Sequence, residues 1–197
     1  LNFHGTPPPV QLKPPREAFE EVAKLRDEMK IEGEFAIVHP GTAREEKYWE
    51  PDRWAGVVDY LKHRHGLQVV LTGGVSGFER AHHGLIQRNA RQGVTDLAGK
   101  LSLSALAALV SQARLVVSCD TSIVHLAAAF ETPQIALYGP INPFHWRPRH
   151  PKATVISAIQ PEAPLTEFIP KISKAPMEKI PLQTVLEAVD RTLGLGR

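Results

Sequence analysis

The chain of 197 residues has a single cysteine, Cys119, which excludes a disulfide framework and any cysteine-based zinc site. No run approaches the roughly 18 to 20 apolar residues that a membrane-spanning helix needs. Net charge is only +2 with the nine histidines neutral, so the charge balance gives no argument for a nucleic-acid partner. The first ten residues lack the basic start and apolar stretch of a secretory signal. The sequence opens at Leu1 rather than methionine, which reads as a piece of a longer protein or a processed product. Internal repeats and low-complexity tracts are also missing. What is present is an ordinary globular composition, 43% hydrophobic and 22% charged, with length for about one domain and a real core.

Proline is scarce in the middle and crowded at the ends. Pro7, Pro8, Pro9, Pro14 and Pro15 mark residues 1–15 as an extended lead-in, and nine more from Pro140 to Pro181 make that stretch look irregular. Between them, short apolar runs alternate with helical patterns. Strands are expected at residues 35–38, 68–71, 114–118 and 134–138, with a fifth at 153–156. Helices are expected at 51–64, 77–89, 103–112 and 123–130, flanked by 16–30 and 182–193. Apolar runs that are continuous rather than alternating, interleaved with helices, indicate a mostly parallel sheet covered on both faces. The expected fold is α/β, a Rossmann-like doubly wound domain over residues 16–197.

Ligands in such sheets bind beyond the carboxyl ends of the strands, so the loops there carry the functional reading. After the first strand, Gly41 permits a tight turn, Thr42 offers a hydroxyl and Lys47 a cation, a set able to hold phosphate. The alternative is a solvated loop with a Lys–Glu surface pair. Trp49 and Trp54 read as packing residues. After the second strand, Gly73 and Gly74 allow close approach to the backbone and Glu79 can accept from ribose hydroxyls, although the GxGxxG fingerprint is absent. After the third, Asp120, Thr121 and Ser122 open a helix that carries His125. They are either N-caps or, with the helix dipole, an anion site. Cys119 reads as a small buried residue. After the fourth, His145, Arg147, Arg149, His150 and Lys152 form a basic patch, either a solvated loop, the commoner case, or a face toward a phosphate-rich partner or membrane. His82-His83 lacks any further ligand arrangement, so no metal site is expected. No Ser-His-Asp or Cys-His pattern and no catalytic pair of carboxylates is legible.

His39-Pro40-Gly41 followed by Thr42-Ala43-Arg44-Glu45-Glu46-Lys47-Tyr48-Trp49 resembles the donor-binding loop of bacterial ADP-heptose:lipopolysaccharide heptosyltransferases. So do Asp96-Leu97-Ala98-Gly99-Lys100-Leu101-Ser102-Leu103, Asp120-Thr121-Ser122-Ile123-Val124-His125, and Tyr138-Gly139-Pro140, in matching order and spacing from about residue 35 to 145. The resemblance implies the C-terminal, donor-binding half of a GT-B glycosyltransferase. The N-terminal acceptor domain would be absent from this chain and residues 1–15 would be the interdomain connection. The 182–193 helix would be the terminal one that often packs back toward the first domain. Carried over by position, Thr42 and Lys47 contact the diphosphate, with Lys47 stabilising the leaving group. Glu79 binds ribose, Leu101 lies near adenine, Asp120 binds heptose hydroxyls, and Thr121, Ser122 and His125 line the pyrophosphate. Ser122 stands where the family usually has glycine, and Ala43 where a second hydroxylated residue often stands, which implies weaker or differently shaped donor binding.

The implied reaction is an inverting transfer of heptose from ADP-heptose to the lipopolysaccharide inner core, with no cofactor and no required metal. Its base lies in the other domain, so this chain alone would bind donor without turnover. The implied place is cytoplasmic, peripheral at the inner face of the bacterial inner membrane. Two other readings are compatible with the residues: a transferase or epimerase for another nucleotide sugar, and a non-catalytic nucleotide-binding module.

Overall fold

The computed structural model describes residues 12–170 and 175–194; most of the proline-rich lead-in lies outside them. Six strands form one sheet: β1 (Phe35–His39), β2 (Gln68–Leu71), β3 (Thr95–Asp96), β4 (Leu115–Cys119), β5 (Gln134–Tyr138) and β6 (Ala153–Ser157). Their order is β3-β2-β1-β4-β5-β6 and every neighbouring pair is parallel. The helices are α1 (Arg16–Glu28), α2 (Pro51–His65), α3 (Gly77–Asn89), α4 (Leu103–Gln112), α5 (Ser122–Ala129), α6 (Pro143–Trp146) and α7 (Leu182–Leu193).

Alternate residues of each long strand serve two separate cores. Ala36, Val38, Val69, Leu71, Val117 and Leu137 pack under α2, α3 and α7. Phe35, Ile37, Val70, Val116 and Ala136 pack under α1, α4 and α5. Burial on both faces explains why the strands read as continuous apolar runs. Each fully buried large aliphatic side chain contributes about 1.5–3 kcal/mol, and in α2 alone Val57, Val58 and Leu61 are fully buried beside Trp54. Local signals fix the helix ends. Pro51 starts α2, and Gly66, in the left-handed region at φ +65°, ends it. There the Leu67 N–H reaches Leu61 O and the Gly66 N–H reaches Lys62 O, both at 3.2 Å, so the left-handed glycine folds the chain back onto the last carbonyls of the helix. The Ser76 and Ser102 side chains cap α3 and α4.

Most elements lie within a residue of their expected bounds, and the departures that matter are these. Strand β3 was not expected, because two half-buried residues, Thr95 and Asp96, carry no apolar run. Helix α6 lies in the proline-rich stretch expected to be irregular. Strand β4 sits one residue later than expected. Helix α1 ends at Glu28 rather than residue 30, since Lys30 adopts φ +53° and turns the chain. Helix α7 lies against α2 and the β5–β6 side of this same sheet. The Asp190 carboxylate accepts from the Tyr60 hydroxyl at 2.8 Å and meets His65 Nε2 at 2.9 Å.

Candidate functional site

From β1 the chain proceeds to β2 on one side, and from the adjacent β4 to β5 on the other. Adjacent strands whose connections leave in opposite directions open a crevice at their carboxyl ends. The two ends are tied together, since Ser118 Oγ donates to His39 O at 3.0 Å. The loop leaving β1 turns once at Glu45–Lys47 and brings Lys47 over the end of β4. Lys47 Nζ donates to Asp120 Oδ2 at 2.6 Å and to the Asp120 carbonyl at 3.2 Å. With the two side chains only 15% and 10% exposed, this pair is far more sheltered than an ordinary surface ion pair.

Because Asp120 is committed to Lys47, it does not cap α5. Thr121 holds the N-cap position with extended backbone and makes no side-chain capping bond. The first amides of α5, with the positive end of its dipole, are therefore left without a side-chain partner at the cleft. Thr121, Ser122 and His125 line this cleft together with Lys47 and Asp120, in a volume of about 370 Å³. Five of the eight donor-site candidates thus converge. The arrangement can take an anion between a lysine, two hydroxyls and a helix terminus, and offers a carboxylate to neighbouring hydroxyls.

Thr42, Glu79 and Leu101 do not line the cleft. Thr42 accepts from the Arg44 N–H at 3.5 Å. Leu101 packs against the core under α4. The Glu79 carboxylate accepts from the Gly74 N–H and the Ser76 hydroxyl, each at 2.9 Å, while Ser76 caps the Glu79 amide. Burial would raise this carboxyl, but the bonds from Gly74 and Ser76 outweigh it and hold it below the usual range. Glu79 also lies against the β1 loop, where a Cβ on Gly41 would stand 2.6 Å from Oε1. Any side chain at position 41 would have to push this carboxylate aside.

Three cleft residues were not among the candidates: Arg44, Ile141 and Trp146. Arg44 pairs with Glu46. Trp146 comes from α6, whose start is signalled by Asn142 as cap and Pro143 as first residue. The basic patch is partly dismantled by packing. The Arg147 guanidinium lies 4.1 Å over Phe168 and donates to the Phe144 carbonyl. Beside the cleft, His39 is buried with Nδ1 2.8 Å from Thr72 Oγ1, and burial, then the nearby His83, push its pKa down to about 4. Burial likewise pushes the Cys119 thiol up to about 12, which suits a packing residue. Among the described residues, no group of three or more His, Cys, Asp or Glu is placed to hold a metal ion.

Residues 5–170 match the model of glycosyltransferase family 9 (heptosyltransferase). Lipopolysaccharide heptosyltransferase 3 of Escherichia coli is 32% identical over 133 residues, which are 67% of this chain and 38% of that protein. Lipopolysaccharide heptosyltransferase 1 of the same species is 32% identical over 111 residues, 56% of this chain and 34% of that protein. The matched segments thus span well under half the length of these relatives. Among solved structures, a family 9 glycosyltransferase from Veillonella parvula superposes with a TM-score of 0.78 at 22% identity, covering 94% of this chain and 54% of that one. The E. coli ADP-heptose lipopolysaccharide heptosyltransferase II does so at 0.73 and 24% identity, with the same two coverages. The fold is shared, and the family match over most of its length shows that this chain belongs to glycosyltransferase family 9.

Proposed function

We propose that this chain is the donor-binding part of an inverting glycosyltransferase that moves heptose from ADP-heptose to the lipopolysaccharide inner core. The observation that carries the reading is the sheltered Lys47–Asp120 pair beside the uncapped N-terminus of α5, at the switch point of a family 9 sheet. In such a transfer negative charge grows on the departing diphosphate. The Lys47 ammonium, the Thr121 and Ser122 hydroxyls, His125 and the α5 amides are the groups that would meet it. Removing one preorganised donor of this kind typically costs about 3–4 kcal/mol of transition-state stabilisation. Asp120 is then the group that holds sugar hydroxyls. Thr42 adds to the diphosphate contacts, and Glu79 and Leu101 continue the site toward β2 and β3 as its nucleoside end. The acceptor and the base that activates it belong, under this reading, to a preceding domain joined through residues 1–15. The place of action is the inner face of the inner membrane, reached without any described helix long and apolar enough to cross it.

Titration calorimetry of the chain with ADP, UDP and GDP tests the reading. Binding of ADP in the micromolar-to-millimolar range, ahead of UDP and GDP, supports it. A clear UDP preference favours a transferase or epimerase for another nucleotide sugar, a reading that the exposed Ser122 at the start of α5 keeps in play. No binding of any nucleotide at millimolar concentration rules the donor site out for this chain.

A further inference from the structure

We infer that Trp146 is the apolar platform on which the sugar of the donor stacks, and that it sets how far the site prefers a nucleotide sugar to the bare nucleotide. The inference rests on the nucleotide-sugar reading above and adds a residue and a role to it. Trp49 and Trp54 are fully buried, whereas Trp146 is 60% exposed and faces the cleft. It is the most exposed large aromatic side chain among the described residues, and it stands on a firmly fastened segment. The Trp146 carbonyl accepts from the Tyr138 hydroxyl at 2.8 Å. The Asn142 side chain caps α6 through the Phe144 N–H at 2.9 Å and donates to the Ile169 and Pro170 carbonyls at 3.0 and 2.9 Å. Arg147, the next residue, is clamped on Phe168. The backbone is thus fixed on several sides while the indole is left uncovered, the arrangement of a preorganised contact rather than of a packing residue.

Position along the sheet selects the occupant. Lys47 belongs to the loop after β1, Asp120 follows β4, and Trp146 follows β5, so the strand order β1-β4-β5 sets them in sequence across the cleft. A diphosphate held by Lys47 and the start of α5 leaves its sugar beside Asp120. The carboxylate can then take hydroxyls on one edge while the indole covers the C–H face. Pairing a few polar groups with an apolar wall is how small-ligand sites combine orientation with affinity.

The test compares wild type with Trp146→Ala and Trp146→Phe, titrated with ADP and with ADP-heptose. Truncating Trp146 should weaken ADP-heptose about tenfold, on the scale of a lost aromatic contact, and change ADP less than about twofold. Phe should restore most of the loss. Because the other two tryptophans are buried, acrylamide quenching reports on Trp146, and ADP-heptose should protect it where ADP does not. Equal losses for both ligands, no loss for either, or full protection by ADP alone each overturn the platform while the nucleotide reading stands. Failure of ADP itself to bind overturns the nucleotide reading and the platform with it.

Discussion

Lys47 and Asp120 neutralise each other before any ligand arrives, so an incoming diphosphate has to compete with a carboxylate 2.6 Å from the ammonium it needs. Asp120 also places a negative charge near the diphosphate position, and at short range in a sheltered cleft that repulsion is stronger than it would be in water. The two charges therefore have opposite effects on the bare nucleotide. Lys47→Ala should reduce ADP affinity by tenfold or more, in line with loss of a charge-assisted bond of about 1.5–3 kcal/mol. Asp120→Asn should tighten ADP a few-fold by freeing the lysine, and should weaken ADP-heptose, whose hydroxyls lose their acceptor. Calorimetry with both ligands on both variants reads this out, and parallel losses for ADP in the two variants would contradict it. Lys47 and Asp120 were both legible in the sequence, as a cation in a glycine-led loop and as a carboxylate at a helix start, but their contact was not. They lie 73 residues apart, and only the parallel pairing of β1 with β4 brings the two loops together.

The elements around the site differ in how plainly the sequence announced them. The strands that build the sheet centre were readable because both faces are buried, and the long helices because their apolar positions recur at helical spacing. Strand β3 and helix α6 were not, since two and four residues are too short for any periodicity. For α6 the signal is chemical instead, an Asn-Pro pair suited to a helix start, and Trp146 is placed by that short helix alone. Helix α7 was readable, but its partner was not. Its position depends on Asp190, which joins the Tyr60 hydroxyl and His65 of α2, and the segment before it is held by the Trp49 indole donating to Ile180 O at 3.0 Å. Asp190→Ala leaves two polar groups of α2 without their partner and should cost about 1–3 kcal/mol. Urea unfolding measures the loss. Hydrogen exchange should show faster exchange in α7 than in the central strands, and uniform acceleration throughout would place the contact at the centre of the fold rather than at one edge.

For the whole molecule, the histidines beside the site make stability depend on pH in a defined direction. Burial, then the neighbouring His83, depresses His39 to about 4. Burial, again followed by His83, depresses His82 to about 4. His83 is itself lowered by burial, against the opposing pull of Asp96 and Glu79. Each is neutral when folded and takes up a proton on unfolding below its ordinary value of about 6.5. The unfolded chain then binds more protons than the folded one, so the stabilisation is complete above pH 6.5 and is lost as pH falls toward 4. His39, the fully buried one, contributes a slope of about 1.4 kcal/mol per pH unit within that window, on the order of 3 kcal/mol across it. Glu79, held below the usual carboxylate range, acts with the same sign but only at more acid pH, so the interval from 6.5 to 4.5 isolates the histidines. Urea midpoints measured at pH 7.5, 6.0 and 5.0 should fall little over the first step and steeply over the second, with net uptake of more than one proton on unfolding. His39→Gln, which cannot titrate, should shallow that slope by about one proton. An unchanged midpoint between pH 7.5 and 5.0 would mean that these imidazoles are not held neutral by the fold.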